Sequence, residues 1–293
     1  RIETDEPDTK NPRRLMLLGY NTNGFAHHDP FQAVELLADL GYRSVGLTID
    51  HGTLNPYGGH VAARLMLMCC LFGRLEMRAV VETGARYLLD PLRKHEPTLM
   101  TADPAGRAKR VEFYRHCLDA AVELGADCIS IWSGVLRDGV DEATALRRLV
   151  GGLEEVLAYA DERRIDIGFE PEPGMFIDTM SSYERLTSVV VHPRLRLTLD
   201  IGHLHCLGET PIDAVIRRWG SQLVNVHLED MHAGVHEHLM FGEGEIEFPP
   251  VLKALLQVGY SGGVHVELSR HSHDAPNAAA RSIAFLREVL QRT

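Results

Sequence analysis

Short apolar runs alternate with longer amphipathic stretches along nearly the whole chain, and this alternation most limits what it can fold into. The runs fall at 15–20 (L-M-L-L-G-Y), 44–49, 78–82, 128–132, 166–170, 195–200, 223–227 and 263–267. Each is followed by a segment with helical spacing of apolar residues, opened by Asp or Pro and closed by Gly at 29–41, and closed by Gly125 after about 105–124. Strand-length runs separated by helix-length ones are the mark of βα units and a parallel sheet. Eight units without a break in composition fit a closed (β/α)₈ barrel over 15–293, with 1–14 a loose polar tail. A doubly wound sheet would carry a Gly-rich phosphate turn after its first strand, and N-T-N-G-F stands there instead.

Composition narrows the partners. With 293 residues, 45% of them hydrophobic, the chain can build a full core. A formal net charge of -11 repels a phosphate backbone, so no nucleic-acid partner is expected. No apolar run reaches membrane-spanning length and no leader with a basic start and apolar core is evident. The five cysteines (Cys69, Cys70, Cys117, Cys128 and Cys206) form no C-x-x-C pair, and the first four sit in apolar surroundings. Reduced core thiols in a cytoplasmic protein are expected.

In a barrel of this kind the active site forms at the C-terminal ends of the strands. The last four strands end in Glu170, Asp200, His227 and Glu267. Three carboxylates and an imidazole converging on one mouth repel one another unless a cation sits between them. Such a donor set suits a hard divalent ion: Mn²⁺ first, with Mg²⁺, Co²⁺ or Zn²⁺ as alternatives. The stretch 225–248 (N-V-H-L-E-D-M-H-A-G-V-H-E-H-L-M-F-G-E-G-E-I-E-F) adds His232, His236 and His238 and reads as a polar loop. Earlier in the chain Glu82 ends the third strand, and Arg86, Arg93, Lys94 and His95 lie in the loop after it, where they could grip an anionic or polyol substrate. Trp132 closes the fourth strand and offers a ring for stacking on a sugar. Arg270, placed on the eighth strand beyond Glu267, faces the mouth. Glu172, in F-E-P-E-P, is a further carboxylate beside Glu170.

The motifs F-E-P-E-P-G, L-T-L-D-I-G-H, V-N-V-H-L-E-D, H-E-H-L-M-F-G-E-G-E-I-E-F and V-H-V-E-L-S-R resemble those of the xylose-isomerase-like TIM barrel superfamily. That group includes sugar and sugar-phosphate isomerases and epimerases, inosose dehydratases and the endonuclease IV branch. The resemblance implies that Glu170, Asp200, His227 and Glu267 are the metal ligands, in agreement with the strand-end reading. It also implies a substrate role for His203, three residues after Asp200. His236 and His238 match the place of a D-x-H metal pair in the endonuclease branch, but His236 replaces the aspartate. With the earlier metal-binding histidines of that branch also incomplete, His236 and His238 are read as substrate contacts, and DNA repair is disfavoured.

Together these features point to an enzyme acting on a small carbohydrate, a sugar, sugar phosphate or cyclitol. Glu170 and Glu267 would move a proton through an enediolate that the divalent ion stabilises. Isomerase or epimerase is the leading reading and dehydratase or lyase the second. A non-catalytic sugar-binding barrel is a third. Self-association is left open.

Overall fold

The computed structural model describes residues 16–293, so the tail expected over 1–14 lies outside the described residues, as does Leu15. Eight strands close into a barrel in which every neighbouring pair runs parallel. They are β1 (Leu17–Asn21), β2 (Ser44–Thr48), β3 (Arg78–Glu82), β4 (Cys128–Ile131), β5 (Asp166–Phe169), β6 (Leu195–Asp200), β7 (Leu223–Leu228) and β10 (Gly263–Val266). The helices outside the barrel include α1 (Pro30–Leu40), α2 (Val61–Leu75), α3 (Pro104–Leu124), α4 (Glu142–Arg163), α5 (Met180–Val189), α7 (Ile212–Trp219), α8 (Phe248–Gln257) and α9 (Ala275–Arg292).

Local chemistry sets the helix ends. The Asp29 carboxylate accepts from the Phe31 and Gln32 amides at 2.9 and 3.3 Å, with Pro30 opening α1, and Gly41 closes it at φ 98°. Asp103 and Pro104 repeat this at α3, and Asp141 caps α4. Thr179 and Ser182 form a reciprocal capping box that starts α5.

Three features depart from the sequence reading. A short helix, α6 (Ile201–Cys206), follows β6 directly, before α7. The polar stretch after β7 is not a plain loop: β8 (Asp230–His232) and β9 (Val235–Leu239) pair antiparallel. The Asp230 carboxylate holds the return of this hairpin. It accepts from the amides of Met231, Gly242, Gly244 and Ile246 at 2.8–3.0 Å. Lastly, Cys69 and Cys70 are exposed, while Cys117, Cys128 and Cys206 are buried. Helix α2 turns Met68, Leu71 and Phe72 inward, and the 3.6-residue period leaves positions 69 and 70 on the outer face. None of the helices among the described residues is long and apolar enough to cross a membrane.

The barrel interior is more polar than an ordinary core. Ser44, Ser130, Thr198, Asn225 and His265 are fully or nearly fully buried. Glycines make the room: a Cβ on Gly46 would lie 1.7 Å from Asn21 Oδ1, and one on Gly19 would lie 2.3 Å from the His265 ring. Gly46→Ala is therefore expected to lower the unfolding free energy by about 1–3 kcal/mol through overpacking. Gly151→Ala, where a Cβ meets nothing within 4 Å on exposed α4, should raise it by about 0.5–1 kcal/mol. Urea unfolding of the two variants checks both signs.

Candidate metal and sugar site

Four side chains from consecutive barrel strands meet at the mouth. Asp200 ends β6, His227 lies on β7, and Glu170 and Glu267 follow β5 and β10 by one residue. Each offers a ligand atom within 4.8 Å of the others. His227 Nδ1 is the centre. It lies 3.2 Å from Glu170 Oε1, 3.0 Å from Glu267 Oε2 and 3.9 Å from Asp200 Oδ2. Asp200 divides its carboxylate between two tasks. Oδ1 accepts from the His203 amide at 2.8 Å and so caps α6, while the buried Oδ2 has no hydrogen-bond partner.

The other face of His227 is fixed from beneath. Its Nε2 lies 2.9 Å from Glu82 Oε1, the same oxygen that accepts from Asn225 Nδ2 at 3.0 Å. Asn225 Oδ1 lies 2.8 Å from His265 Nδ1, and Ser44 Oγ lies 2.9 Å from His265 Nε2. A carboxylate only accepts, so His227 carries its proton on Nε2. Nδ1 also faces carboxylates, so among protein groups alone it carries a second proton; a cation that replaces this proton meets the Nδ1 lone pair, with the ring held by its Nε2–H bond to Glu82.

Electrostatics agree with this fit. Among the protein groups alone, burial pushes the Glu170 carboxyl up to about 8, against the pull of His227. Burial also resists ionisation of Glu267, but His227, His238 and His203 outweigh it and hold that carboxyl below the usual range. Burial works against a charged His227, yet Glu170, Glu82 and Glu267 raise it well above an ordinary histidine. The group is short of positive charge, and its donors are three carboxylate oxygens and one imidazole nitrogen. Those residues fit a divalent cation.

A cavity of about 230 Å³ opens over this group. His203 lies on α6 with Nδ1 3.7 Å from Glu170 Oε1 and Nε2 3.6 Å from Asp200 Oδ2. Burial lowers it to about 4, so its ring is neutral at neutral pH. The hairpin brings His236 Nε2 to 3.1 Å from His203 Nε2, and His238 donates from Nδ1 to the Glu267 carbonyl at 2.9 Å. His203, His236 and His238 thus form a second group of closely spaced donors beside the first. His232 lies outside it, 3.6 Å from Glu245.

The remaining sequence candidates divide. Glu82 lines the cavity with one oxygen committed to His227. Trp132 also lines it, with the Arg110 guanidinium over its ring at 5.4 Å and His95 edge-on at 5.2 Å. Arg86, Lys94, His95 and Glu172 reach the wall, whereas Arg93 does not. Arg110, fully buried, ties this loop down by donating to the carbonyls of Pro97 and His95 at 2.6 and 2.7 Å. Arg270 is not on the eighth strand. It sits in a 3₁₀ turn, Ser269–Asp274, at the cavity rim, paired with Glu237 at 2.6 Å.

Sequence reasoning missed Asn23, whose Nδ2 donates to Glu267 Oε1 at 2.7 Å, and the Asn225–His265–Ser44 chain. It also missed Glu229, fully buried, which accepts from the Gly202 amide at 3.1 Å. Burial and the neighbouring Asp200 hold that carboxyl well above the usual range. The polar residues inside strand runs, Asn225 and His265, were the available signal.

The chain matches the xylose isomerase-like TIM barrel model over residues 34–289. It belongs to that family. The L-ribulose-5-phosphate 3-epimerase of Escherichia coli is 26% identical over 252 residues, covering 84% of each chain. A D-tagatose 3-epimerase-like protein superposes with a TM-score of 0.77 at 21% identity, over 94% of this chain and 97% of that one. The IOLI protein, solved with a bound zinc atom, gives 0.76 at 17% identity, over 94% and 99%. The structural likenesses show the fold, and the curated relative is a sugar epimerase.

Two outcomes follow from the support beneath His227. Glu82→Gln loses the fixed carboxylate partner of Nε2, and divalent-ion affinity measured by calorimetry should fall about 10–100-fold. His265 is the basis of a pH effect. Burial, reinforced by His227, lowers it to about 3 from the usual 6.5. The unfolded chain therefore binds a proton that the folded chain refuses, and stability falls as pH drops from about 6.5 towards 3. Glu170, raised to about 8, works in the opposite sense over the same range, so the His265 contribution is read as a difference: by urea unfolding in chelator, wild type should lose more stability, or gain less, than His265→Gln between pH 7 and pH 5.

Proposed function

We propose that the chain is a divalent-metal-dependent epimerase or isomerase of ketoses, with Glu170, Asp200, His227 and Glu267 holding the ion. The observation that carries this reading is the convergence of two glutamates on the same donor group inside a sugar-sized cavity. The similarity to an L-ribulose-5-phosphate 3-epimerase supports it. Mn²⁺ is the leading ion for an oxygen-rich set, and Zn²⁺ the alternative suggested by His227 and by the zinc in the IOLI protein.

A divalent ion supplies Lewis acidity towards a carbonyl and its neighbouring hydroxyl. The protein supplies proton transfer. One of Glu170 and Glu267 takes the proton from the carbon beside the carbonyl, and the other returns one to that carbon or the next. Return to the same carbon from the other face gives an epimer, and return to the next gives an isomer. Neutral His203, with His236 and His238, is placed to hydrogen-bond the sugar hydroxyls. Asn23 steers Glu267 through its 2.7 Å contact. Arg86, Arg270, Trp132 and Glu82 complete the substrate wall.

Deuterium exchange tests the reading. The Mn²⁺-loaded protein in deuterated water should label a ketose or ketose phosphate beside its carbonyl. Glu267→Gln should cut that exchange by roughly 10²–10⁴-fold. Exchange that survives in the variant sinks the two-glutamate mechanism, and no exchange by the wild type on any ketose sinks the activity. Metal analysis of Asp200→Ala and His227→Ala should show the ion lost, and retention in both removes the site.

A further inference from the structure

The catalytic cavity has basic residues on its wall as well as acidic ones. Arg86 and Lys94 both line it, and both come from the loop between β3 and α3. Neither has a carboxylate within ion-pair distance among the described residues, and the Arg86 guanidinium donates only to the Asn23 carbonyl, from Nη2 at 3.2 Å. Arg270, the third cation on the wall, is already paired with Glu237. The cavity carboxylates are engaged too. Glu170 and Glu82 face His227, and Glu267 faces His227 and Asn23. Unpaired cations on an open surface are ordinary, because water solvates them. These two border the space where the substrate is placed.

The loop is built to hold them there. The His95 amide donates to the Arg86 carbonyl at 2.5 Å, and His95 Nδ1 donates to the Gly84 carbonyl at 2.6 Å. These bonds fold residues 84–86 against 94–95, which sets Arg86 and Lys94 on neighbouring arms. Buried Arg110 donates to the His95 carbonyl at 2.7 Å and Lys109 Nζ to the Leu89 carbonyl at 2.5 Å, fastening the loop to α3. Positive charge is thereby gathered on one side of the cavity. His95 registers it: burial lowers its ring to about 4 against the bond to Gly84, and Lys94, Arg110 and Arg86 push the same way. An anion between Arg86 and Lys94 offsets the repulsion of like charges held close together.

A guanidinium and an ammonium offer donors only, together with two positive charges. Their complement is a group that is negative and accepts at several oxygens, which a sugar hydroxyl is not. Phosphate and carboxylate both meet that description. In the reaction above the carbonyl end of the substrate lies at Glu170 and Glu267, so the anion belongs at the other end of the same molecule.

We propose that Arg86 and Lys94 form an anion subsite, and that the substrate is a ketose ending in a phosphate or carboxylate rather than an uncharged sugar. The proposal rests on the ketose reading above and names its substrate class.

D-Fructose, D-fructose 6-phosphate and D-fructuronate test it, because they share one carbon skeleton and differ only at the sixth carbon. Deuterium exchange beside the carbonyl with the Mn²⁺-loaded protein gives kcat/KM for each. Wild type should prefer at least one anionic sugar to D-fructose, and the larger value tells phosphate from carboxylate. Lys94 is exposed, so Lys94→Gln removes the charge without opening the core. It should lower the ratio of anionic to neutral kcat/KM about three- to tenfold. No preference for an anionic sugar overturns the proposal. So does a ratio that Lys94→Gln leaves unchanged, whether both values hold or both fall equally. If none of the three exchanges deuterium, the epimerase reading fails for these sugars by itself, and calorimetry judges the subsite. An anionic sugar that binds wild type more tightly than D-fructose, with the advantage reduced in Lys94→Gln, upholds it. An advantage that is absent, or that Lys94→Gln leaves intact, overturns it.

Discussion

Three carboxylates brought within reach of one imidazole nitrogen are the constraint on which the mouth of this barrel is built. Among protein groups alone the arrangement is costly, because burial opposes each negative charge and the charges oppose one another. Positive charge must enter, as a proton on His227 or as a cation among Glu170, Asp200, His227 and Glu267. Charge and the number of donors separate the two. With Nε2–H committed to Glu82, a proton on Nδ1 answers only with a single charge, whereas a divalent ion answers with two and accepts all four donors. The neighbouring histidines follow from the same surplus. Neutral His203 can stand against Asp200 and Glu170 without adding charge.

The barrel interior is organised to hold that one imidazole. The chain from Ser44 through His265, Asn225 and Glu82 crosses four strands, and every donor along it runs towards the Glu82 carboxylate. A hydrophobic filling would pack as well but would leave the His227 ring free to turn. The small residues of the strands then acquire a reason. Gly19 and Gly46 leave the volume that His265 and Asn21 occupy. Interior polarity, glycine placement and ligand orientation are one device.

Much of the fold and the four-residue donor group was legible in the chain. Strand ends are periodic features, and Glu170, Asp200, His227 and Glu267 each close a short apolar run in a fixed rhythm. The rest depended on contacts between distant residues. Asn23 meets Glu267 across 244 positions and Glu82 meets His227 across 145, and no local pattern announces either. The hairpin after β7 has no strand signal in the sequence because its strands are short and polar. Its order comes from Asp230 collecting backbone amides, not from an apolar face. Arg270 follows a strand that ends four residues before it, and the 3₁₀ turn carrying it has no periodic signature that separates it from that strand. For Cys69 and Cys70 an apolar neighbourhood in sequence does not mean burial, because a helix turns only one side inward.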